Sequence, residues 1–138
     1  MITLNLGCGH LNREEGEIGV DINPDCNPDV LASAENLPFD DEFFDNAKAV
    51  HVLEHVDNIV RVMDEVSRVC KKGARFHIRV PLFPTVGSVA DPTHKRYFVP
   101  DTFRYFTEKG ALSGLKNIWD LGGIKTTEQE IYVTLRKT

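Results

Sequence analysis

Cysteine is scarce in this chain, and its spacing suits neither a cross-link nor a metal knuckle. Three cysteines stand at 8, 26 and 70. An odd number with no CxxC pair excludes a disulfide framework and a thiolate zinc site, and predicts a reducing, cytoplasmic setting. No run of about 18 apolar residues occurs, so nothing is expected to span a membrane. The chain enters a strand at once, with no leader-like stretch before it. Excess positive charge is missing too: 16 Lys and Arg face 21 Asp and Glu, for a net charge of −5. That balance argues against a nucleic-acid backbone as the main partner. Repeats, low-complexity tracts and linkers are absent. A chain of 138 residues with 41% apolar content reads as one domain over 1–138 with a real core.

Helices are missing where a parallel sheet normally needs them. Alternation predicts strands near 2–6, 17–22, 29–33, 46–52, 74–80, 115–121 and 129–136. Ten residues separate the first two strands and six separate the second from the third. A parallel crossover usually takes a dozen or more residues and a helix. The strands carry the same message. Phe76, Ile78 and Val80 alternate with Arg75, His77 and Arg79, and Ile131, Val133 and Leu135 with Tyr132, Thr134 and Arg136. A sheet buried on both faces reads as unbroken apolar runs instead. The expectation is a two-layer sheet with one face bare of helices, where Lys48, Arg75, His77, Arg79 and Tyr132 lie together and a second copy of the chain can dock, either there or on the adjoining glycine-turn loops. One strong helix is predicted over 57–71, ended by Gly73, and another over 100–109.

The segment Leu4 to Asp21, LNLGCGHLNREEGEIGVD, carries nucleotide-binding chemistry. Gly7 and Gly9 allow backbone to approach a ligand where a Cβ would obstruct it. Asp21, ending the neighbouring strand, can accept hydrogen bonds from both ribose hydroxyls. A nicotinamide dinucleotide is disfavoured. Asn12 stands where the third glycine of GxGxxG belongs, and the acid comes 14 positions after Gly7, where about 20 is usual.

LNLGCG, followed by ASAENLPFDDEFFDNAKAVHVLEH at 32–55, resembles the class I S-adenosylmethionine-dependent methyltransferases, in particular the small UbiE/type-11-like branch. The resemblance continues through RVCKKGARFHIRVP and DPTHKRYFVPDTF, covering roughly 3–106 in order. It implies an α/β, Rossmann-like class I methyltransferase sheet, mostly parallel with an antiparallel last strand, here trimmed of helices on one face. It implies S-adenosyl-L-methionine as cofactor, with Asn5, Leu6, Gly7, Cys8 and Gly9 along its methionine part. Asp21 and Ile22 would hold the ribose. Ser33, Ala34 and Glu35 would meet the adenine, and His51 and Val52 would close over the sulfonium end. Two positions depart from the family pattern: Asn5 and Ser33 stand where acids are usual.

His51-Val52-Leu53-Glu54-His55 also matches HxxEH, the inverted zinc-protease motif. That motif needs a helix to bring both histidines to one face, and no third ligand follows in sequence. No metal is expected on this reading. The loop Asp91 to Phe98 follows the fifth strand and can overlie an acceptor. His51 and His94 are the candidate general bases for an alcohol acceptor, since histidine titrates near neutral pH. The expected activity is methyl transfer to a small-molecule or glycan-like acceptor by a chain that forms a homodimer. A non-catalytic module binding S-adenosylmethionine or S-adenosylhomocysteine stays open, because two helices and two acids are lost.

Overall fold

A computed structural model describes residues 1–10 and 13–138 of the chain. Seven strands form a single sheet: β1 (Thr3–Leu6), β2 (Glu17–Asp21), β3 (Val30–Leu31), β4 (Phe44–Val50), β5 (Cys70–Pro81), β6 (Trp119–Thr126) and β7 (Glu130–Lys137). Their order is β3-β2-β1-β4-β5-β7-β6. The first five run parallel, and β7 is antiparallel to both of its neighbours. Helix α1 (Ile59–Val69), the short α2 (Val86–Val89) and 3-10 segments at Pro24–Cys26 and Pro100–Phe106 complete the regular structure among the described residues.

Alternation in the strands decides the layers. Leu4, Leu6, Ala47, Ala49, Phe76, Ile78, Val80, Ile131, Val133 and Leu135 are buried on one face. Val62, Met63, Val66 and Val69 of α1 and the rings of Phe98, Phe103 and Trp119 join the same core. On the other face Lys48 pairs in register with His77, His77 with Thr134, and Arg79 with Tyr132. Arg75, His77 and Tyr132 are exposed, and Lys48 and Arg79 half-buried. The trimmed, two-layer reading of the strands therefore describes the molecule.

A single side chain does part of the work of a missing helix. Arg13 lies across Gly19 of β2, where any Cβ would overlap the guanidinium. Its Nη2 donates to Cys8 Sγ and to the Asn27 carbonyl, both at 3.0 Å. Its Nε stands 3.2 Å from Asp29 Oδ2. One arginine thus ties the β1–β2 connection to the β2–β3 connection over the outer strands.

Several boundaries differ from those expected, each for a visible reason. Helix α1 starts later, because Asn58 caps it by accepting the Arg61 N–H at 3.0 Å. It ends at Val69 because Cys70 already pairs with Phe44. Gly73, at φ +80°, sits inside β5 where the register slips. The 100–109 helix is a 3-10 segment, Pro100–Phe106. Strand β6 begins at Trp119, not near 115, because Asp64 accepts the backbone N–H groups of Lys116 and Asn117 at 3.1 Å and holds that stretch as a loop.

Helix periodicity places Asp64 and Glu65 on the solvent side of α1, yet both are buried. Glu65 accepts the Leu37 N–H at 2.8 Å and the Arg68 Nε–H at 2.8 Å. Arg68 also donates to the carbonyls of Leu37 and Phe39, at 2.9 and 2.8 Å. The Arg68 hydrogen bond holds the Glu65 carboxyl below its ordinary range, against the opposing effect of burial. Glu65→Gln should therefore destabilise the fold by about 2 kcal/mol near neutral pH. A folded-state value below the unfolded one gives stability above the ordinary glutamate range that is lost as pH falls through the folded value. The gap between wild type and variant in chemical denaturation should close on acidification. A gap that stays constant with pH would rule this role out.

Candidate active site

In this sheet order the chain reverses direction of growth between β1 and β4, and ligands of open α/β sheets collect outside the carboxyl ends at such a point. A cavity of about 350 Å³ lies there. Leu6 and Gly7 at the end of β1, Val20, Asp21 and Ile22 at the end of β2, and Ala32 to Glu35 after β3 line it. His51 and Val52 after β4 close the other side.

Gly7 has φ +62°, and a Cβ built on it would overlap the Val52 side chain. Both conformation and space demand glycine there. Asp21 Oδ2 accepts the Gly9 N–H at 2.9 Å, and Oδ1 accepts the Asn23 N–H at 3.0 Å. Each oxygen keeps a lone pair for a ligand hydroxyl. Ile22 is 72% exposed at the cavity edge, an apolar surface that a bound planar group would cover. Ser33 Oγ accepts the Glu35 N–H at 3.1 Å, which fixes the turn and leaves a second lone pair.

His51 adopts φ +55°, a left-handed conformation uncommon for a side-chain-bearing residue. Its N–H donates to the Arg79 carbonyl at 2.9 Å, anchoring the turn to β5. Its imidazole lies between two carboxylates: Nδ1 is 3.4 Å from Glu54 Oε2, and Nε2 is 3.4 Å from Glu130 Oε1. Glu130 is gripped by Arg79 through both nitrogen arms, and this hydrogen bond lowers the Glu130 carboxyl from its ordinary range. Arg79 also lies over the Tyr132 ring, 5.0 Å from its centroid.

Four of the expected site residues stand off the cavity wall. Asn5 points to the open face, because the alternation that buries Leu4 and Leu6 turns it the other way. Its Nδ2 donates to Glu17 Oε1 at 3.2 Å, and Glu17 pairs with Lys48. Cys8 is buried under Arg13. Gly9 reaches the site only through its N–H to Asp21. His94 packs edge-on against His55, with ring centroids 4.8 Å apart, behind the wall. Asn12 lies outside the described residues. Sequence reasoning missed Val20, Ala32, His55, Val56, Asp57 and Lys95, which also line the cavity. Lys95 and Asp57 form an ion pair across its mouth. Only the loop's position after β5 pointed to Lys95.

The family model for the methyltransferase domain matches residues 4–78. The chain belongs to this family. Within curated relatives, it is 40% identical over 47 residues to the sterol 4-C-methyltransferase strm-1 of Caenorhabditis elegans, covering 34% of this chain and 14% of that protein. It is 38% identical over 69 residues to the mitochondrial 2-methoxy-6-polyprenyl-1,4-benzoquinol methylase of Mus musculus, covering 50% of this chain and 20% of that one. These matches thus span a fifth or less of the relatives' lengths. A SAM-dependent methyltransferase from Archaeoglobus fulgidus superposes with a TM-score of 0.71 at 20% identity, over 98% of this chain and 85% of that one. The fold is the Rossmann-like methyltransferase sheet, and the family implies S-adenosylmethionine as cofactor. The cavity fits that group: a glycine turn with no room for a Cβ, a strand-end carboxylate with spare lone pairs, and an apolar edge at Ile22.

Proposed function

We propose that this methyltransferase domain moves a methyl group from S-adenosylmethionine to a hydroxyl of a small-molecule or glycan-like acceptor, with His51 as the general base. The observation that carries this reading is His51, half-exposed on the cavity wall with a carboxylate near each ring nitrogen. When bound, the cofactor supplies a methyl already made electrophilic by its sulfonium. The protein's part is alignment, which can supply several kcal/mol, up to roughly 7–11 in favourable cases.

Asp21 takes the ribose hydroxyls, and Ser33, Ala34 and Glu35 border the adenine. Leu6 and Gly7 underlie the methionine part, and Val52 holds the turn above them. The acceptor hydroxyl oxygen would be the nucleophile, its bond to the methyl carbon forming as the S–CH₃ bond breaks and S-adenosylhomocysteine leaves, and a ring nitrogen of His51 would take the hydroxyl proton. Neither carboxylate contact to that ring is aligned as a hydrogen bond, so a nitrogen remains available. The imidazolium that forms is stabilised by Glu54 and by Glu130, which Arg79 keeps ionised. His94, the other candidate base, has Nδ1 against the Ser88 carbonyl at 2.8 Å and does not border the cavity.

Titration calorimetry with S-adenosylhomocysteine tests the cofactor half. Asp21→Ala should weaken binding by about 1–3 kcal/mol through lost charge-assisted hydrogen bonds. Ser33→Asp should tighten it, by giving the adenine amino group an ionised acceptor. Unchanged affinity in Asp21→Ala would overturn the ribose assignment. Transfer of label from methyl-tritiated cofactor to hydroxylated acceptors tests the other half. His51→Asn should reduce that transfer by about a hundredfold or more. Equal rates in the variant would remove His51 as base. Tight product binding with no transfer to any acceptor would favour a non-catalytic binding module.

The setting proposed is cytoplasmic, in keeping with three free cysteines. Among the described residues, no helix is long and apolar enough to cross a membrane. A homodimer is proposed through the open sheet face, where Arg75, His77 and Tyr132 are exposed. Light scattering at micromolar concentration should give twice the chain mass, and Arg75→Glu should shift it toward monomer. A monomeric wild type would reject the dimer.

A further inference from the structure

We propose that Glu54, His55 and His94 form a divalent-metal site behind the cavity wall. The HxxEH run supplies Glu54 and His55 to the set; His51, although its Nδ1 is 3.4 Å from Glu54 Oε2, stays outside the group that His55 and His94 form with Glu54. The third ligand comes from the loop after β5. One donor atom from each of Glu54, His55 and His94 lies within 4.8 Å of the others. Tetrahedral ligands on bonds of about 2.1 Å sit about 3.5 Å apart, so a shift of the side chains of about 1 Å closes the set.

An independent observation points to a cation. Glu54 is 1% exposed, and neither of its carboxylate oxygens has a hydrogen-bond partner. His51 Nδ1, at 3.4 Å, is close to Oε2 but not aligned with it. Burying an ionised carboxylate without donors is expensive, and a coordinated cation removes that expense.

The hydrogen bonds around the two histidines select the ligating tautomer. His94 Nδ1 is 2.8 Å from the Ser88 carbonyl, which can only accept, so Nδ1 carries the proton. Thr93 Oγ1 donates to Asp91 Oδ1 at 2.7 Å and therefore accepts from His55 Nδ1 at 3.0 Å. Both rings keep Nε2 as a bare lone pair. A backbone carbonyl or a carboxylate relay on the far nitrogen is the usual support of a metal-binding histidine.

The loop is also held in place before any ion arrives. Lys95 N–H donates to the Glu54 carbonyl at 2.7 Å. Arg96 donates from Nη1 to the Leu53 carbonyl at 2.6 Å and from Nη2 to the Asp57 carbonyl at 3.0 Å. Asp91 Oδ2 stands 3.6 Å from His94 Nε2, beside the set and not part of it. Two imidazoles and a carboxylate favour zinc, manganese, iron(II) or cobalt over the all-oxygen preference of calcium and magnesium. His55 also borders the cavity. A cation there can take an acceptor oxygen as an additional ligand. That extension rests on the methyl-transfer reading, whereas metal uptake does not.

The test uses the chelator-treated full chain, titrated with zinc in a calorimeter and with cobalt by visible absorption. One equivalent should bind, with thermal stability rising as metal is added. Glu54→Gln and His94→Ala, each checked by circular dichroism for native structure, should weaken binding by about tenfold or more. His77→Ala, on the open face, should leave it unchanged. S-adenosylhomocysteine titration of the same samples separates the two readings, because metal uptake can fail while cofactor binding persists. No stoichiometric uptake by the wild type would overturn the site. So would equal affinity in His94→Ala and wild type, which marks adventitious binding by surface histidines.

Discussion

Gly7 and Val52 compete for one volume, and the site depends on Gly7 leaving it to Val52. The turn after β1 passes so closely beneath the turn after β4 that a single Cβ would displace the valine. This close passage occurs where the strand order reverses, so the two turns form opposite walls of one crevice. It fixes the distance between Asp21, tied to the first turn through the Gly9 N–H, and His51, which ends the second.

Losing the helices on one face changes what holds the loops. In a fully wound sheet, helices fix the strand ends by burying apolar area. Here buried and half-buried charged groups bonded to backbone take over much of that task. Arg13 ties the loops around β2; Glu65 and Arg68 hold 37–41; Asp64 holds 116–117; Arg96 holds 53–57. Hydrogen bonds to charged groups are directional and stronger than neutral ones, so a few can define a loop that little apolar area supports. The cost is sensitivity: removing one partner strands the other in a dry place.

This division also explains what was legible in the sequence. Period-two alternation in 74–80 and 129–136 announced both the strands and the bare face, because a half-solvated sheet must alternate. Short spacings at 7–16 and 23–28 announced the missing helices. The places of Gly7 and Asp21 on the cavity wall were readable because each is local to one turn or one strand end. Asp64 and Glu65 were misplaced on the solvent face. Helical periodicity reports which side an acid is on, but not that a distant loop will cover it. Boundaries of β6 failed for the same reason, since Asp64 captures 116–117 from across the chain. Asn5 was expected at the cofactor, but strand parity sends its side chain to Glu17 and Lys48. Glu130 beside His51 could not be seen at all. It depends on β7 inserting antiparallel next to β5, which no local pattern encodes.

The two histidines named as candidate bases show how the fold divides similar side chains. His51 sits in a left-handed turn at the end of a parallel strand, with ring nitrogens near carboxylates yet bonded to neither. His94 and His55 have one nitrogen each committed to a fixed acceptor. An imidazole without a fixed partner can gain and lose a proton at little structural cost, which suits a base. An imidazole whose tautomer is locked offers a permanent lone pair, which suits a ligand. Glu54 lies between these sites, near His51 Nδ1 on one side and in the His55–His94 group on the other. A cation on Glu54 would withdraw charge from it and weaken its hold on a protonated His51. Glu130, kept ionised by Arg79 from the opposite side, would then carry most of that stabilisation. The geometry thus gives His51 a counter-charge that does not depend on the state of Glu54.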